Sequence, residues 1–166
     1  MKTFALYAGS FDPITKGHLN IVEQALTMFD RVHIGVGRNP GKTGRFWPSI
    51  RSDLIKGAID QALPESLDRI SVGQFDGGLA PYARELGCTH IVRGLRQISD
   101  FNDEFTLHGV LQRISPDIPM VHLICQQQFL HVSSSTARAL ADLKEDLSWL
   151  VTDNVAMALR NYKCPK

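Results

Sequence analysis

Five short apolar runs, near residues 3–7, 32–37, 69–73, 89–93 and 119–124, alternate with stretches whose apolar residues recur at helical spacing. No other feature constrains the fold as much, because strands separated by helices return in the same direction and so pair as a parallel sheet. Leu19, Val22, Leu26 and Phe29 mark the first helix; Ile50, Leu54, Ile55, Ala58, Ile59 and Ala62 mark the second, after Pro48; Leu79, Ala83 and Leu86 mark the third. A fourth helix is expected over residues 100–114. Residues 133–142 and 153–162 read as two closing helices, the first opening on a serine cluster and the second capped by Thr152 or Asp153. The expected architecture is α/β: a Rossmann-like, open, parallel sheet of five strands with helices on both faces and further helices at the C-terminal end. At 166 residues the length suits a single domain, residues 1–166, and no internal repeat or low-complexity tract divides it.

Composition narrows the function classes. Eighteen Lys and Arg balance seventeen Asp and Glu, so nothing marks a general nucleic-acid or membrane binder, and an anionic ligand must be held locally. Cys88, Cys125 and Cys164 are odd in number and too scattered for a zinc site or a disulfide framework. They read as reduced thiols, which predicts a cytoplasmic location. The sequence enters its first strand with no long apolar segment, so neither a signal peptide nor a membrane span is expected.

In open parallel sheets ligands bind outside the carboxyl ends of the strands, and three phosphate-friendly loops fall there. The first follows residues 4–7 through Gly9 and delivers Thr15-Lys16-Gly17-His18 at a helix start. Free N–H groups and the helix dipole favour anions at such a junction, and an imidazole adds a donor; the alternative is a plain helix entry. The second loop, Gly37 through Lys42 and Thr43, lacks the spacing of a P-loop, and Gly35-Val36-Gly37 lacks that of a dinucleotide fingerprint. Lys42 is then either a phosphate ligand or part of a solvated turn. The third is Arg93-Gly94-Leu95-Arg96, two guanidiniums around a glycine that lets a ligand approach the backbone. Those arginines either bind a multi-oxygen anion or form salt bridges with Asp100 or Glu104. Asp100, Glu104 and His108 lie one turn apart on the next helix, suited to a ribose, an adenine edge or solvation. Four hydroxyl residues, 133–136, crowd a later helix start and offer a second anion seat or a cap. His33, His90 and His122 read as structural, with no metal-ligand spacing.

Taken together, the segment Tyr7 to His18, the Lys42 loop, Arg93-Gly94-Leu95-Arg96, Asp100-Phe101 with Glu104, and Val132-Ser133-Ser134-Ser135 closely resemble the bacterial phosphopantetheine adenylyltransferase family, end to end. Thr-x-Gly-His with a late serine run marks the wider nucleotidyltransferase superfamily; Arg-Gly-Leu-Arg followed by Asp-Phe and Glu points to the pantetheine branch. The resemblance implies transfer of the adenylyl group of ATP to 4′-phosphopantetheine, giving dephospho-coenzyme A and pyrophosphate, with Mg2+ assisting. It implies catalytic roles for His18, Lys42 and Arg93. ATP would be contacted by Ser10, Phe11, Thr15, His18, Gly94, Arg96, Glu104, Val132, Ser133, Ser134 and Ser135, and the acceptor by Ser10, Lys42, Leu79 and Arg93. It also implies a homohexamer restrained by coenzyme A. Several positions depart from the usual family pattern: Ser10 for threonine, the stretch Gly78-Leu79-Ala80-Pro81, Asp103 for tyrosine, Leu111-Gln112 for an Asn-Arg pair, and Ile50-Arg51 without the expected glutamate. They gather on the acceptor arm and nucleotide rim. Two alternatives remain at this point: a sister transferase acting on nicotinamide mononucleotide or a polyol phosphate, and a nucleotide- or coenzyme A-binding regulator without turnover.

Overall fold

The computed structural model describes residues 2–38 and 44–161. Its elements run β1 (Phe4–Gly9), α1 (Lys16–Met28), β2 (Arg31–Gly37), α2 (Pro48–Ala62), β3 (Ile70–Phe75), α3 (Leu79–Glu85), β4 (His90–Leu95), α4 (Ile98–Ile114), β5 (Met120–Ile124), α5 (Ser134–Asp142) and α6 (Asp153–Asn161). All five strands pair in parallel in the order β3-β2-β1-β4-β5. Each apolar run forms its strand, and three strands run further than expected. The Gly9, Phe75 and Leu95 ends stay in register with Val36, Gly37 and Ile124, because a ladder needs backbone groups and not apolar side chains.

β1 lies at the centre, and its side chains alternate between two cores. Ala5 and Tyr7 pack with the cluster under α1, α2, α5 and α6, which includes Val22, Ile55, Leu147, Leu150 and Val155. Leu6 and Ala8 pack with Ala80, Ala83, Ile91, Leu111 and Ile118 beneath α3 and α4. A strand buried on both faces reads as a continuous apolar run, as residues 4–8 do. Helices therefore cover both faces, as expected. The helix expected from residue 100 begins at Ile98, and short 3-10 turns at Pro64–Arg69 and Gln127–Phe129 add two elements without periodic signal. The expected final residue of the last helix, Tyr162, and the third thiol, Cys164, lie outside the described residues. Among those described, no helix is long and apolar enough to cross a membrane.

The chain leaves β1 through α1 to β2 on one side, while β4 pairs with the other side of β1. This reversal makes the carboxyl ends of β1 and β4 the topological switch point, where the crossovers diverge and leave a crevice.

Candidate active site

That crevice is a cleft of about 230 Å³, with His18, Arg93, Arg96, Asp100 and Glu104 among its walls. Its floor is the first loop. Thr15 caps α1 in a reciprocal box: its hydroxyl accepts the His18 N–H at 3.4 Å, and its own N–H donates to His18 Nδ1 at 3.0 Å. An Nδ1 that accepts a hydrogen bond leaves the proton on Nε2, which becomes a fixed donor toward the cleft. The ring is braced by Phe11, edge to face at 5.1 Å, and Phe11 by Tyr7 at 5.2 Å. Burial, with the Arg96 charge adding to it, lowers the His18 pKa to about 3, so the imidazole is neutral near pH 7. Phe11 holds a left-handed backbone, φ 44°, uncommon outside glycine, which turns the chain sharply out of β1. Burial raises the Tyr7 phenol well above its ordinary value, so it stays protonated beside the guanidiniums.

The opposite wall comes from the end of β4. Arg93 grips Glu104 with two parallel bonds, Nε to Oε2 at 2.7 Å and Nη2 to Oε1 at 2.5 Å, and donates from Nη1 to the Ala8 carbonyl at 2.6 Å. Arg96 donates Nε to Asp100 Oδ2 at 3.2 Å, Nη2 to Oδ1 at 3.4 Å and Nη1 to the Val132 carbonyl at 3.2 Å. Of the two readings open for these arginines, the salt bridges form. Each guanidinium has five N–H groups and spends three this way, leaving two for a ligand. A Cβ on Gly94 would lie 2.8 Å from Ile21 Cγ1, so α1 itself requires glycine there, beyond any need of a ligand.

The serine run caps α5. Ser133 Oγ accepts the Thr136 N–H at 3.0 Å and pairs with Ser135 Oγ at 2.9 Å, while Ser134 Oγ donates to the Pro13 carbonyl at 2.7 Å. The α5 start is thereby stitched to the first loop. Ser10, Phe11, His18, Arg93, Gly94, Arg96 and Glu104 meet at the cleft. Thr15 sits behind His18, and Val132 is tied to the site through Arg96. Leu79 opens α3, partly buried against the Leu6 and Ala8 cluster, away from the described cleft walls. Lys42 lies outside the described residues. Sequence reasoning passed over Tyr7 and Asp12. The signal for Asp12 was a lone carboxylate three residues past the end of an apolar strand and before a proline.

Two comparisons bear on the family. A cytidylyltransferase-like family model matches residues 6–140. The chain is 38% identical over 160 residues to the phosphopantetheine adenylyltransferase of Thioalkalivibrio sulfidiphilus, covering 96% of this chain and 98% of that protein. The chain belongs to the phosphopantetheine adenylyltransferase family. A relative of the same name from Allorhizobium ampelinum is 36% identical, with 96% and 97% covered. A solved structure from Vibrio parahaemolyticus, described provisionally as a nicotinate-nucleotide adenylyltransferase, superposes with TM-score 0.69 at 19% identity, covering 97% of this chain and 93% of that one. It shares the fold with this phosphopantetheine adenylyltransferase family member.

Proposed function

We propose that the protein transfers the adenylyl group of ATP to 4′-phosphopantetheine, releasing pyrophosphate and dephospho-coenzyme A. The observation that carries this is full-length family membership together with a cleft where a neutral His18 donor faces the Arg93 and Arg96 guanidiniums. An oxygen of the acceptor phosphate attacks the α-phosphorus; the new P–O bond forms as the bond to the β-phosphate oxygen breaks, and pyrophosphate carries off the electron pair. The nucleophile is already an anion, so no protein base is needed. Repulsion between two polyanions is the obstacle, and fixed donors oppose it without reorganising.

In this reading His18 Nε2–H, Arg96 and the residues 133–135 hold the triphosphate, while Ser10, Lys42 and Arg93 hold the acceptor phosphate. Among the described residues no three His, Cys, Asp or Glu side chains are grouped to hold a metal, and both cleft carboxylates are taken by arginines. Magnesium is therefore proposed to enter on the triphosphate oxygens as part of the substrate. Exposed apolar side chains on α4, with Ile98, Phe101 and Phe105 along one face and Val110 and Ile114 on another, support self-association, which we propose to be the homohexamer, with coenzyme A as feedback ligand. The unpaired, buried thiols of Cys88 and Cys125 support a cytoplasmic site.

The test follows pyrophosphate release with ATP, magnesium and 4′-phosphopantetheine, with nicotinamide mononucleotide, and glycerol phosphate plus CTP, as parallel acceptors. Turnover is expected only with phosphopantetheine, falling about two to three powers of ten in His18→Ala. Turnover confined to another acceptor would overturn the reading, as would retained ATP binding without turnover.

A further inference from the structure

β1 brings one polar group to the cleft that no role above uses, the hydroxyl of Tyr7. This residue pairs in register with Ile34 and Val92, faces the α1 side of the sheet and is only 5% exposed. Phe11 braces its ring edge to face at 5.2 Å, and the His18 ring lies 6.5 Å away. A Cβ on Gly94 would fall 3.3 Å from the phenol oxygen, which puts that oxygen beside the backbone between Arg93 and Arg96. Among the described residues none makes a hydrogen bond to it, and it is not one of the polar atoms sealed from solvent, so it opens on the cleft whose wall it forms. An apolar strand has no need of this oxygen. Phenylalanine would fill the same space without the cost of a mostly buried hydroxyl that lacks a partner. Burial keeps the proton on the phenol while the charges of Arg93, Arg96 and Glu104 all reach it. Tyr7 is therefore a fixed neutral donor near pH 7 and no base.

We propose that Tyr7 is a catalytic residue whose O–H donates to a nonbridging oxygen of the α-phosphoryl group as that group passes between the two polyanions. This rests on the phosphopantetheine adenylyltransferase reading, in which Arg96 holds the triphosphate and Arg93 the acceptor phosphate. The group that lies between those arginines is then the phosphorus under attack. Tyr7 keeps its proton throughout, and the P–O bonds made and broken are those already described. In the transition state charge is spread over the equatorial oxygens, and the phosphorus stands midway between attacking and leaving oxygens. A donor on a braced ring matches one position of that group. It is aimed before the substrates arrive, so it lowers the barrier without tightening either ground-state complex.

The experiment compares the full-length wild type with Tyr7→Phe, which keeps the ring and its contact with Phe11. The kcat is expected to fall about tenfold to a hundredfold, with the KM values of ATP and acceptor each within about twofold. The melting temperature of the free protein should stay the same or rise, because no hydrogen bond within the protein is lost. ATP with sulfur in place of one nonbridging α-oxygen identifies the atom, sulfur being the weaker acceptor. For the diastereomer whose sulfur faces Tyr7 the penalty of the substitution should shrink below about threefold, and for the other it should match that seen with ATP. The acid limb of kcat/KM should persist in Tyr7→Phe, since the phenol passes no proton. A wild-type kcat in Tyr7→Phe, a loss confined to the ATP KM, equal penalties with both diastereomers, or loss of the acid limb would overturn the inference alone. So would a melting temperature lower by several degrees, the mark of a structural bond. A wild type without turnover on phosphopantetheine would overturn the functional reading, and this inference with it.

Discussion

The two arginines of Arg93-Gly94-Leu95-Arg96 each end on a carboxylate, yet the pairs are built differently. Arg93 and Glu104 join β4 to α4 through two short bonds, with side chains 22% and 11% exposed. Arg96 and Asp100 meet through longer bonds across one helical turn, 31% and 19% exposed. The inner pair is a rigid fork whose remaining N–H groups point where the fold sets them. The outer pair is a loose clasp that a triphosphate can displace. A cleft for two polyanions thus stays near neutral while empty, with one arginine preset and one held in reserve.

The largest expected effect separates the arginines by kinetics. Arg93→Lys cannot reproduce the fork on Glu104, and turnover should fall about a hundredfold, whereas Arg96→Lys should act mainly on ATP KM, by about tenfold. Equal losses in both would erase the distinction between preset and reserve. Stability should rank the pairs the same way. Glu104→Gln leaves a mostly buried guanidinium without its counter-ion and should cost about 2–3 kcal/mol, read as a melting point lower by about 4–12 °C. Asp100→Asn should cost about 1 kcal/mol or less, and a larger drop for it would reverse the comparison.

Asp100→Asn sharpens the point further by ligand affinity. If Asp100 competes with phosphate for Arg96, removing its charge enlarges the fraction of free guanidinium, and ATP should bind about two- to fivefold more tightly by calorimetry. Weaker binding would make Asp100 itself a nucleotide contact, the ribose partner that its position on α4 also allows.

Much of this was legible in the chain, and the illegible part has a physical cause. All five strands and the helices on both faces follow from apolar runs and their period, which local sequence encodes directly. The phosphate-facing loops follow from glycine, hydroxyl and arginine at strand ends. What spacing could not supply was the pairing of charges. Salt bridges with Asp100 or Glu104 were one of two readings, but spacing did not say that Arg93 takes Glu104 and Arg96 takes Asp100, nor that the Arg45 and Phe46 N–H groups reach Asp12 more than thirty residues back. Such partners are chosen by tertiary packing. The serine run shows the same limit: four hydroxyls signalled an anion seat or a cap, and the fold shows that Ser133 is the one that caps α5 while Ser134 anchors Pro13.

The smallest expected effect is an absence, and it separates the floor of the cleft from its arginine wall. His18 is pushed down to about 3 from an ordinary value of 6.5. The native protein therefore refuses a proton that the unfolded chain accepts, so this residue's cost to stability is nil above about pH 6.5, grows as pH falls below it and levels off near pH 3. Between pH 5 and 8 the free enzyme's imidazole does not change charge and contributes no break to kcat/KM. The acceptor phosphate does titrate there, with a second pKa of about 6. An acid limb near pH 6 is thus expected in wild type and, at lower absolute rate, in His18→Gln, because it belongs to the substrate. Loss of that limb in His18→Gln would mean that the imidazole titrates in the ordinary range, and that the bond from the Thr15 N–H to Nδ1 fails to hold it as a neutral donor.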